Sequence, residues 1–168
     1  MPIALRDGSA IRVRKGHQRD RDLLLAGFEQ LGPRSRYQRF LSAMPRLSEA
    51  TIEYLLDVDH HDHEVLVAID EVTGAGVGVA RFVRLADRPD TAESAVTVID
   101  DWQSRGVGTI LLDLLADRAR EEGVVRFTAL LLAENREMHD LLRSLGPVRT
   151  VAEELGRVEL EIELGGQS

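Results

Sequence analysis

The chain has 168 residues, of which 43% are hydrophobic and 30% charged, as in an ordinary globular protein. Its formal net charge of -8 disfavours binding to the phosphate backbone of nucleic acids. The absence of cysteine excludes disulfides, thiolate zinc sites and a cysteine nucleophile. The sequence shows no signal-peptide pattern and no apolar run of the roughly 18 residues that a membrane span needs, so we expect a cytoplasmic location and no membrane partner.

The first part of the chain alternates strands with helices. Val65 to Ile69 is a continuous apolar run, typical of a strand buried on both faces. The apolar runs on either side of the turn at 70–74 predict an antiparallel hairpin. Gly32-Pro33 is a stop signal for a helix, and Ser48 is a cap for the next one. In chain order the predicted elements are a strand (10–14), a helix (17–31), a helix after Ser48, and strands at 65–69, 75–85 and 91–99, the last after a loop at 86–90.

The second part of the chain contains one long amphipathic helix. Between 106 and 121, apolar residues recur three and four positions apart, and Gly123 ends the pattern. Near the C-terminus, apolar residues alternate with Glu159, Glu161 and Glu163, which predicts a strand with one buried and one wet face. In chain order the predicted elements are a helix (106–121), a strand (126–132), a helix (135–145) and two final strands.

This order of elements predicts an α/β fold with a mixed sheet. We expect one domain over residues 1–168, with an ordered core at about 10–164. At its centre is a unit of strand, glycine-rich turn, helix and strand.

The loop between the strand at 91–99 and the long helix has the features of a phosphate site. It reads Gln103-Ser104-Arg105-Gly106-Val107-Gly108-Thr109. The first N–H groups of a helix have no partners within the helix, and the helix dipole adds positive charge there. Two glycines let a ligand approach the backbone, Arg105 adds a full charge and Thr109 adds a hydroxyl. The loop has no Gly-Lys-Ser/Thr, so it is not a Walker loop, and it is too late in the chain for a Rossmann fingerprint.

The pattern Gln/Arg-x-x-Gly-x-Gly resembles the acyl-CoA signature of the GNAT superfamily of N-acetyltransferases. The flanking strand and turn and the residue Asn135, which opens the helix after the next strand, agree with that family too. Further stretches look like bacterial protein-lysine acetyltransferases of the Pat type; they include Val58-Asp59-His60-His61, Ala80-Arg81-Phe82-Val83-Arg84 and the residues Tyr37, Arg39, Phe40 and Leu41. The resemblance implies a mixed, mostly antiparallel sheet of six to seven strands, flanked by about four helices.

The resemblance also assigns roles to residues of this chain. The loop 103–109 would bind the cofactor pyrophosphate, Asn135 would lie near the pantetheine, and the backbone N–H of Val96 or Val98 would bind the carbonyl oxygen of the thioester. Glu93, on the strand that leads into the loop, is the candidate general base, with a surface carboxylate as the alternative. The tyrosine that protonates the leaving thiolate in many relatives would fall at Leu142, so that acid is missing.

Two polar clusters have a functional and a structural interpretation. The residues Asp57, Asp59, His60, His61, Asp62 and His63 are too close in sequence to favour a metal site, and a polar loop is expected; His60 or His61 could assist proton removal. The arginines 34, 36, 39 and 46 could receive an acidic substrate or the 3′-phosphate of CoA, or form a solvated helix and turn.

The function predicted from the resemblance is transfer of an acetyl group from acetyl-CoA to a primary amine, with a protein lysine as the first candidate acceptor. The expected partners are acetyl-CoA and the amine, and a homodimer is left open; no metal or nucleic acid is expected. One alternative is the same chemistry on a small amine, such as a polyamine or an amino acid. The other is an acyl-CoA-binding module without catalytic activity, which the missing tyrosine favours.

Overall fold

A computed structural model describes residues 2–40 and 48–165 of the chain. The described residues form eight strands and five α-helices. The strands are β1 (Ile3–Ala4), β2 (Ala10–Lys15), β3 (His63–Asp70), β4 (Gly76–Leu85), β5 (Arg88–Val98), β6 (Arg126–Leu132), β7 (Val148–Glu154) and β8 (Arg157–Glu163). The helices are α1 (Arg21–Glu29), α2 (Pro33–Phe40), α3 (Glu49–Leu56), α4 (Val107–Glu121) and α5 (Arg136–Arg143).

All eight strands belong to one sheet in the order β1-β2-β3-β4-β5-β6-β8-β7. Every neighbouring pair is antiparallel except β5 and β6, which are parallel. The crossover between these two strands is α4, as expected for a strand–loop–helix–strand unit. The mixed, mostly antiparallel sheet predicted from the resemblance is therefore confirmed.

The helices cover both faces of the sheet. Phe82 of β4 is fully buried in one hydrophobic cluster with Leu111 and Leu115 of α4. Val79 and Arg81 of the same strand line a cavity together with residues of α1. Successive residues of a strand point to opposite faces, so α1 and α4 lie on opposite sides of the sheet.

The structure differs from the prediction in the number and bounds of the elements. The helix expected at 17–31 is a 3-10 turn (Gln18–Asp20) followed by the shorter α1. Gly32-Pro33 does end that helix, but Pro33 is also the first residue of α2, a position that suits proline because its missing N–H would have no partner there. The two-residue β1 and helix α2 account for the extra strand and the extra helix.

Two expectations about the sheet were wrong in detail. The loop expected at 86–90 is a shorter turn, because β5 already begins at Arg88 and pairs with Leu85 across an irregular register. The glutamate row of β8 does not form one wet face: Glu161 is only 6% exposed. Its two oxygens accept from Arg88 of β5 at 2.8 Å and from Arg149 of β7 at 2.6 Å, so arginines of two other strands take the place of the expected water.

The sheet opens between β5 and β6. These strands pair only from Thr91 opposite Arg126 to Glu93 opposite Thr128, whereas β5 stays paired with β4 as far as Val98 and β6 stays paired with β8 as far as Leu132. The two strands therefore separate after Glu93, and the gap widens toward the loop that begins α4.

Candidate functional site

A cleft of about 520 Å³ occupies the gap between β5 and β6. Residues 94 to 98 of β5 form one wall, and residues 129 to 131 of β6 with the first turns of α5 form the other. The loop before α4 closes one end. Helix α2, which sequence analysis gave only as an alternative interpretation of the arginine-rich stretch, adds Ser35, Gln38 and Arg39 to the lining.

The backbone of β5 presents donors to this cleft. The N–H of Ile99 donates to the carbonyl of Val77 at 2.9 Å, which is the direction of β4. Alternate residues of a strand direct their N–H groups to opposite neighbours. The N–H groups of Val96 and Val98 therefore point away from β4, into the space where β6 has separated. The resemblance implied that the N–H of Val96 or Val98 binds the thioester oxygen, and that role stays a prediction.

The glycine-rich loop delivers the N-terminus of α4 to the cleft. Gly106 has φ of 95°, a left-handed conformation that glycine adopts without strain, and it is the residue before the first helical position. Ser104 also has a positive φ, of 64°. Gly108 lines the cleft, and a Cβ at this position would come within 3.2 Å of Leu141 on α5. The passage between α4 and α5 is therefore narrow, and a side chain at 108 would obstruct it.

Most of the predicted cofactor residues line the cleft, and two do not. Those on its surface are Val96, Val98, Gln103, Ser104, Gly106, Gly108, Thr109 and Asn135. The side chain of Val107 is fully buried in the hydrophobic core. Arg105 lies over the ring of Trp102, with its guanidinium carbon 4.6 Å from the ring centroid, and pairs with Asp7 at 3.4 Å.

Gln103 and Asp100 fix the loop to its surroundings. Gln103 Nε2 donates to the carbonyl of Val98 at 3.0 Å and to Ser35 Oγ at 3.1 Å. Asp100 accepts from the N–H of Gly32 at 3.0 Å and from Ser35 Oγ at 2.7 Å. These bonds tie the start of α2 to the loop, so both arrive at the same end of the cleft.

Helix α5 carries two of the residues to which the resemblance gave a role: Asn135 is its cap, and Leu142 stands at the expected tyrosine position. Asn135 lines the cleft, and its side-chain oxygen accepts from the N–H of Met138 at 3.3 Å as the cap of α5. Its amide nitrogen is not used in this cap, so a ligand can bind it. Leu142, at the expected tyrosine position, is fully buried in the core. The partly buried His139 lies one turn earlier.

Glu93 occupies the last paired position before the strands separate. It lies directly opposite Val83 on β4 and is exposed, and the next residue, Ser94, lines the cleft. Glu93 has the same parity along β5 as Ala95 and Thr97, so its side chain is on the face covered by α1. The carboxylate also attracts the charge of Arg39 on α2.

The histidines considered as helpers lie elsewhere. His60 Nδ1 is 2.7 Å from Glu64, and its carbonyl accepts from Arg118 at 3.0 Å. His61 Nδ1 is 3.1 Å from Glu122. Arg118 and Glu122 are at the C-terminal end of α4, while the glycine loop is at its N-terminal end, about 20 Å away along the helix. The structure does not bring His60 or His61 to the cleft.

The arginine-rich stretch divides among several roles. Arg36 lies over the ring of Phe28 at 4.1 Å and donates to the Phe28 carbonyl at 3.2 Å, a packing role. Arg34 is exposed. Arg39 lines the cleft, and Arg46 lies outside the described residues.

Arg81, Tyr54 and His63 form a polar group near Glu93. Sequence analysis considered only His63 for a role, as part of the polar loop. Arg81 of β4 lies over the ring of Tyr54, 5.2 Å from its centroid, and Tyr54 stacks on His63 at 5.7 Å. Burial, together with the charge of Arg81, lowers the pKa of His63 below its usual 6.5, against the opposing effect of a hydrogen bond to the Asp57 carbonyl. One signal was available in the sequence: Arg81 places a charge in the middle of the largely apolar strand β4, between the apolar residues Ala80 and Phe82.

The described part of the chain offers neither a metal-binding cluster nor a membrane-spanning helix. Within residues 2–40 and 48–165, no three His, Asp or Glu side chains are placed to hold a metal ion. In the same part of the chain, no helix is long and apolar enough to cross a membrane.

Three comparisons with known proteins agree with this geometry. The chain is 35% identical over 164 residues to the acetyltransferase Pat of Mycolicibacterium smegmatis, covering 98% of this chain and 49% of Pat. It is 31% identical over 145 residues to the acetyltransferase PA5475 of Pseudomonas aeruginosa, covering 85% of this chain and 77% of that protein. The crystal structure of the GNAT domain of S. lividans PAT superimposes with a TM-score of 0.88 at 34% identity, covering 98% of this chain and 96% of that one.

The chain thus spans about half the length of the M. smegmatis relative. The sequence profile described as "Acetyltransferase (GNAT) family" matches residues 27–146, which include the cleft, the glycine loop and α4. The chain belongs to the GNAT family of acetyltransferases, whose acyl donor is acetyl-CoA.

Proposed function

We propose that this chain transfers the acetyl group of acetyl-CoA directly to a primary amine, with a protein lysine as the acceptor. The observation that carries the proposal is the cleft between β5 and β6. It joins three features needed for the reaction: an anion site at the N-terminus of α4, free backbone N–H groups of β5, and a carboxylate at the point where the strands separate.

The cofactor is proposed to lie along β5. Its pyrophosphate would accept hydrogen bonds from the N–H groups at the start of α4, where Gly106 and Gly108 leave the backbone open. Its pantetheine would run between the strands past the amide nitrogen of Asn135. The thioester carbonyl would then lie beside the N–H groups of Val96 and Val98, which are suited to stabilise the oxyanion that forms.

Glu93 is proposed as the general base. A lysine amine has a pKa of about 10.4 and is protonated at neutral pH, so it must lose a proton before it attacks the carbonyl carbon. Glu93 is exposed at the end of the cleft and can accept that proton directly or through one water. The C–S bond then breaks and CoA leaves as the thiolate. Leu142 carries no proton to give, and a thiolate leaves without that help far more readily than an alkoxide.

The choice of a protein lysine is supported by the Pat-like stretches of the sequence and by the similarity to PAT domains over almost the whole chain. A small amine remains the alternative acceptor.

The described residues are consistent with the proposal of a single domain, since every strand belongs to one sheet. A cytoplasmic location stays a prediction.

Release of free CoA from acetyl-CoA tests the proposal. The purified chain is assayed alone, with lysine-containing proteins and with a panel of small amines. Amine-dependent release is expected, and Glu93→Gln should lower kcat/KM at least tenfold while acetyl-CoA still binds. Glu153→Gln, an exposed residue of β7, is the matched control and should leave the rate unchanged.

Other outcomes would decide against parts of the proposal. Amine-dependent release that is equal in Glu93→Gln would keep the transferase and remove Glu93 as its base. Binding of acetyl-CoA without release on any amine would favour the binding module without catalytic activity.

A further inference from the structure

Arg81 is a charged, partly buried residue of β4, a central strand of the sheet. Its neighbours on β4, Ala80 and Phe82, are both fully buried on the α4 side. The side chain of Arg81 is directed to the opposite face, toward α1 and α3. A guanidinium stays protonated in proteins, so a full positive charge lies between the sheet and these helices.

This guanidinium has donors without acceptors. Its Nε and Nη1 atoms are buried and form no hydrogen bond. Its guanidinium carbon lies over the ring of Tyr54, 5.2 Å from the centroid, and a ring does not replace a hydrogen-bond acceptor. A buried donor without an acceptor destabilises a protein, and the cost is larger when the group is charged. Such an arrangement is expected where a ligand supplies the acceptor.

A second guanidinium lies close by. Burial and repulsion from Arg81 together lower the pKa of Arg39 to about 10, against the opposing attraction of Glu93 and Tyr54. The two guanidinium groups therefore lie near each other and near the carboxylate of Glu93. The unsatisfied donors of Arg81 favour binding of an anion that can accept hydrogen bonds from them.

The two arginines line a cavity that adjoins the cleft. The cavity has a volume of about 90 Å³, lies between α1 and the sheet, and has mostly apolar walls. Arg39, Ala95 and Thr97 line both the cavity and the cleft. Arg81 is directly opposite Ala95 in the β4–β5 ladder, and Ala95 is two residues from Glu93 on the same face of β5, about 7 Å along the strand.

We propose that Arg81, with Arg39, binds a carboxylate of the acceptor, so that the preferred acceptor is an amine with a carboxylate a few bonds away. This inference rests on the proposed acetyl transfer and adds the chemical class of its acceptor. The carboxylate would accept hydrogen bonds from the donors of Arg81 while the amine reaches Glu93 at the cleft. An acidic side chain beside a lysine of a protein and the carboxylate of a small amino acid both have this chemistry.

Two pairs of acceptors test the inference and separate the two sources. The first pair is a lysine peptide with glutamate on both sides of the lysine and the same peptide with glutamine there. The second pair is 4-aminobutyrate and 4-aminobutanamide. The wild-type chain is expected to acetylate the carboxylate member of at least one pair with at least tenfold higher kcat/KM. Preference in the peptide pair indicates a protein acceptor, and preference in the other pair alone indicates a small amine.

Variants of Arg81 then locate the preference. Arg81→Gln should abolish the preference for the carboxylate member of a pair, mainly by raising the KM for that acceptor. The reason is that the residue binds the acceptor and does not take part in proton transfer. Arg81→Lys keeps the charge and should retain part of it. Arg12→Gln, an exposed strand arginine paired with Glu71, is the matched control and should leave the preference intact. Melting temperatures are measured for each variant, and Arg81→Lys decides the question if Arg81→Gln does not fold.

Equal rates within both pairs for the wild-type chain would overturn the inference and leave the transferase standing. A preference that persists in Arg81→Gln would overturn the assignment to this residue. The absence of release with all four acceptors, despite binding of acetyl-CoA, would overturn both the inference and the proposed function.

Discussion

Glu64 is a fully buried carboxylate on β3, and different partners hold its two oxygens. Oε1 is 2.7 Å from His60 Nδ1 and accepts from the N–H of Val65 at 3.0 Å. Oε2 accepts from Arg118 Nε at 3.0 Å. The network joins the loop before β3 to the C-terminal end of α4, and it explains why His60 is not available to the cleft.

Glu64→Gln should destabilise the fold by about 3 kcal/mol, because it leaves the mostly buried Arg118 without its buried counter-charge. Urea denaturation measures the change. Glu121→Gln removes another carboxylate partner of the same arginine, but one that is 55% exposed, and should lower the free energy of unfolding by less than about 1 kcal/mol. Equal effects of the two changes would show that burial of Glu64 does not determine the strength of this network.

The second prediction at the scale of one residue concerns Asp20, whose contribution to stability depends on pH. Its hydrogen bonds with Arg14 and with the N–H of His17 hold the pKa of the buried carboxyl below its usual 3.8. The folded state therefore favours the ionised form, so this stabilisation is present above pH 3.8 and is lost as the pH falls through the lower folded pKa.

Asp20→Asn should lower the free energy of unfolding at pH 7 by about 1.5 kcal/mol, and the difference from wild type should shrink below the usual carboxyl pKa. Urea titrations at several pH values measure it. Asp87→Asn, in the exposed turn between β4 and β5, is the control and should show little difference at any pH. A difference that is constant from pH 7 to pH 2 would contradict this explanation.

At the scale of single elements, the N-terminus of α4 is the feature on which the proposed cofactor site depends. Gly108 lies in the first turn of this helix and lines the cleft, while Gly27 lies inside α1. Alanine at 108 would place a methyl group near Leu141, but a Cβ at 27 would meet nothing within 4 Å. The two glycines therefore form a matched pair for substitution.

Gly108→Ala should weaken binding of CoA about tenfold, because the methyl group occupies the passage between α4 and α5. Trp102 is the only tryptophan of the chain and lines the cleft, so its fluorescence provides the titration signal. Unchanged CoA affinity in a folded Gly108→Ala variant would show that the cofactor does not pass this point.

Gly27→Ala should leave CoA affinity unchanged and raise stability by about 0.5–1 kcal/mol, because alanine has the higher helix propensity and no neighbour obstructs it. For a chain of this length the melting temperature should rise by about 2 °C. A lower melting temperature would show that α1 has less space at this position than the structure describes.

At the scale of the whole molecule, the separation of β5 from β6 is the feature that creates the site. Residues 94 to 98 direct alternate N–H groups into the cleft without a strand partner on that side. Backbone groups of this kind exchange hydrogen with solvent readily unless a ligand covers them.

CoA should therefore slow hydrogen exchange in peptides that cover residues 94–99 and 106–110. Strand β7 is the control, because it is an edge strand and β8 lies between it and β6. Its residues 148–154 should exchange at the same rate with and without CoA. Mass spectrometry at saturating CoA measures both. Protection confined to other segments would place the cofactor outside the cleft.

Local sequence by itself determined several helices and strands of this protein and the open first turn of α4. Apolar spacing within α4 and the glycines before it are sufficient to predict a helix whose first turn is open to an anion, because both signals lie within a few residues of each other. The hairpin of β3 and β4 was predictable for the same reason. The start of α2 at Pro33 was missed because Asp100, far along the chain, holds Gly32 and Ser35 in place.

The tertiary structure decided the rest. Where β5 and β6 separate, and hence which N–H groups of β5 are open, depends on pairing between strands joined by a whole helix. The partners of Glu161 and Glu64 are likewise distant in sequence, so an alternating pattern could not reveal that these carboxylates are buried. In the sequence, Arg81 is one of two charges in the largely apolar strand β4. Its position beside Arg39 and near Glu93 exists only because three separate elements pack together there.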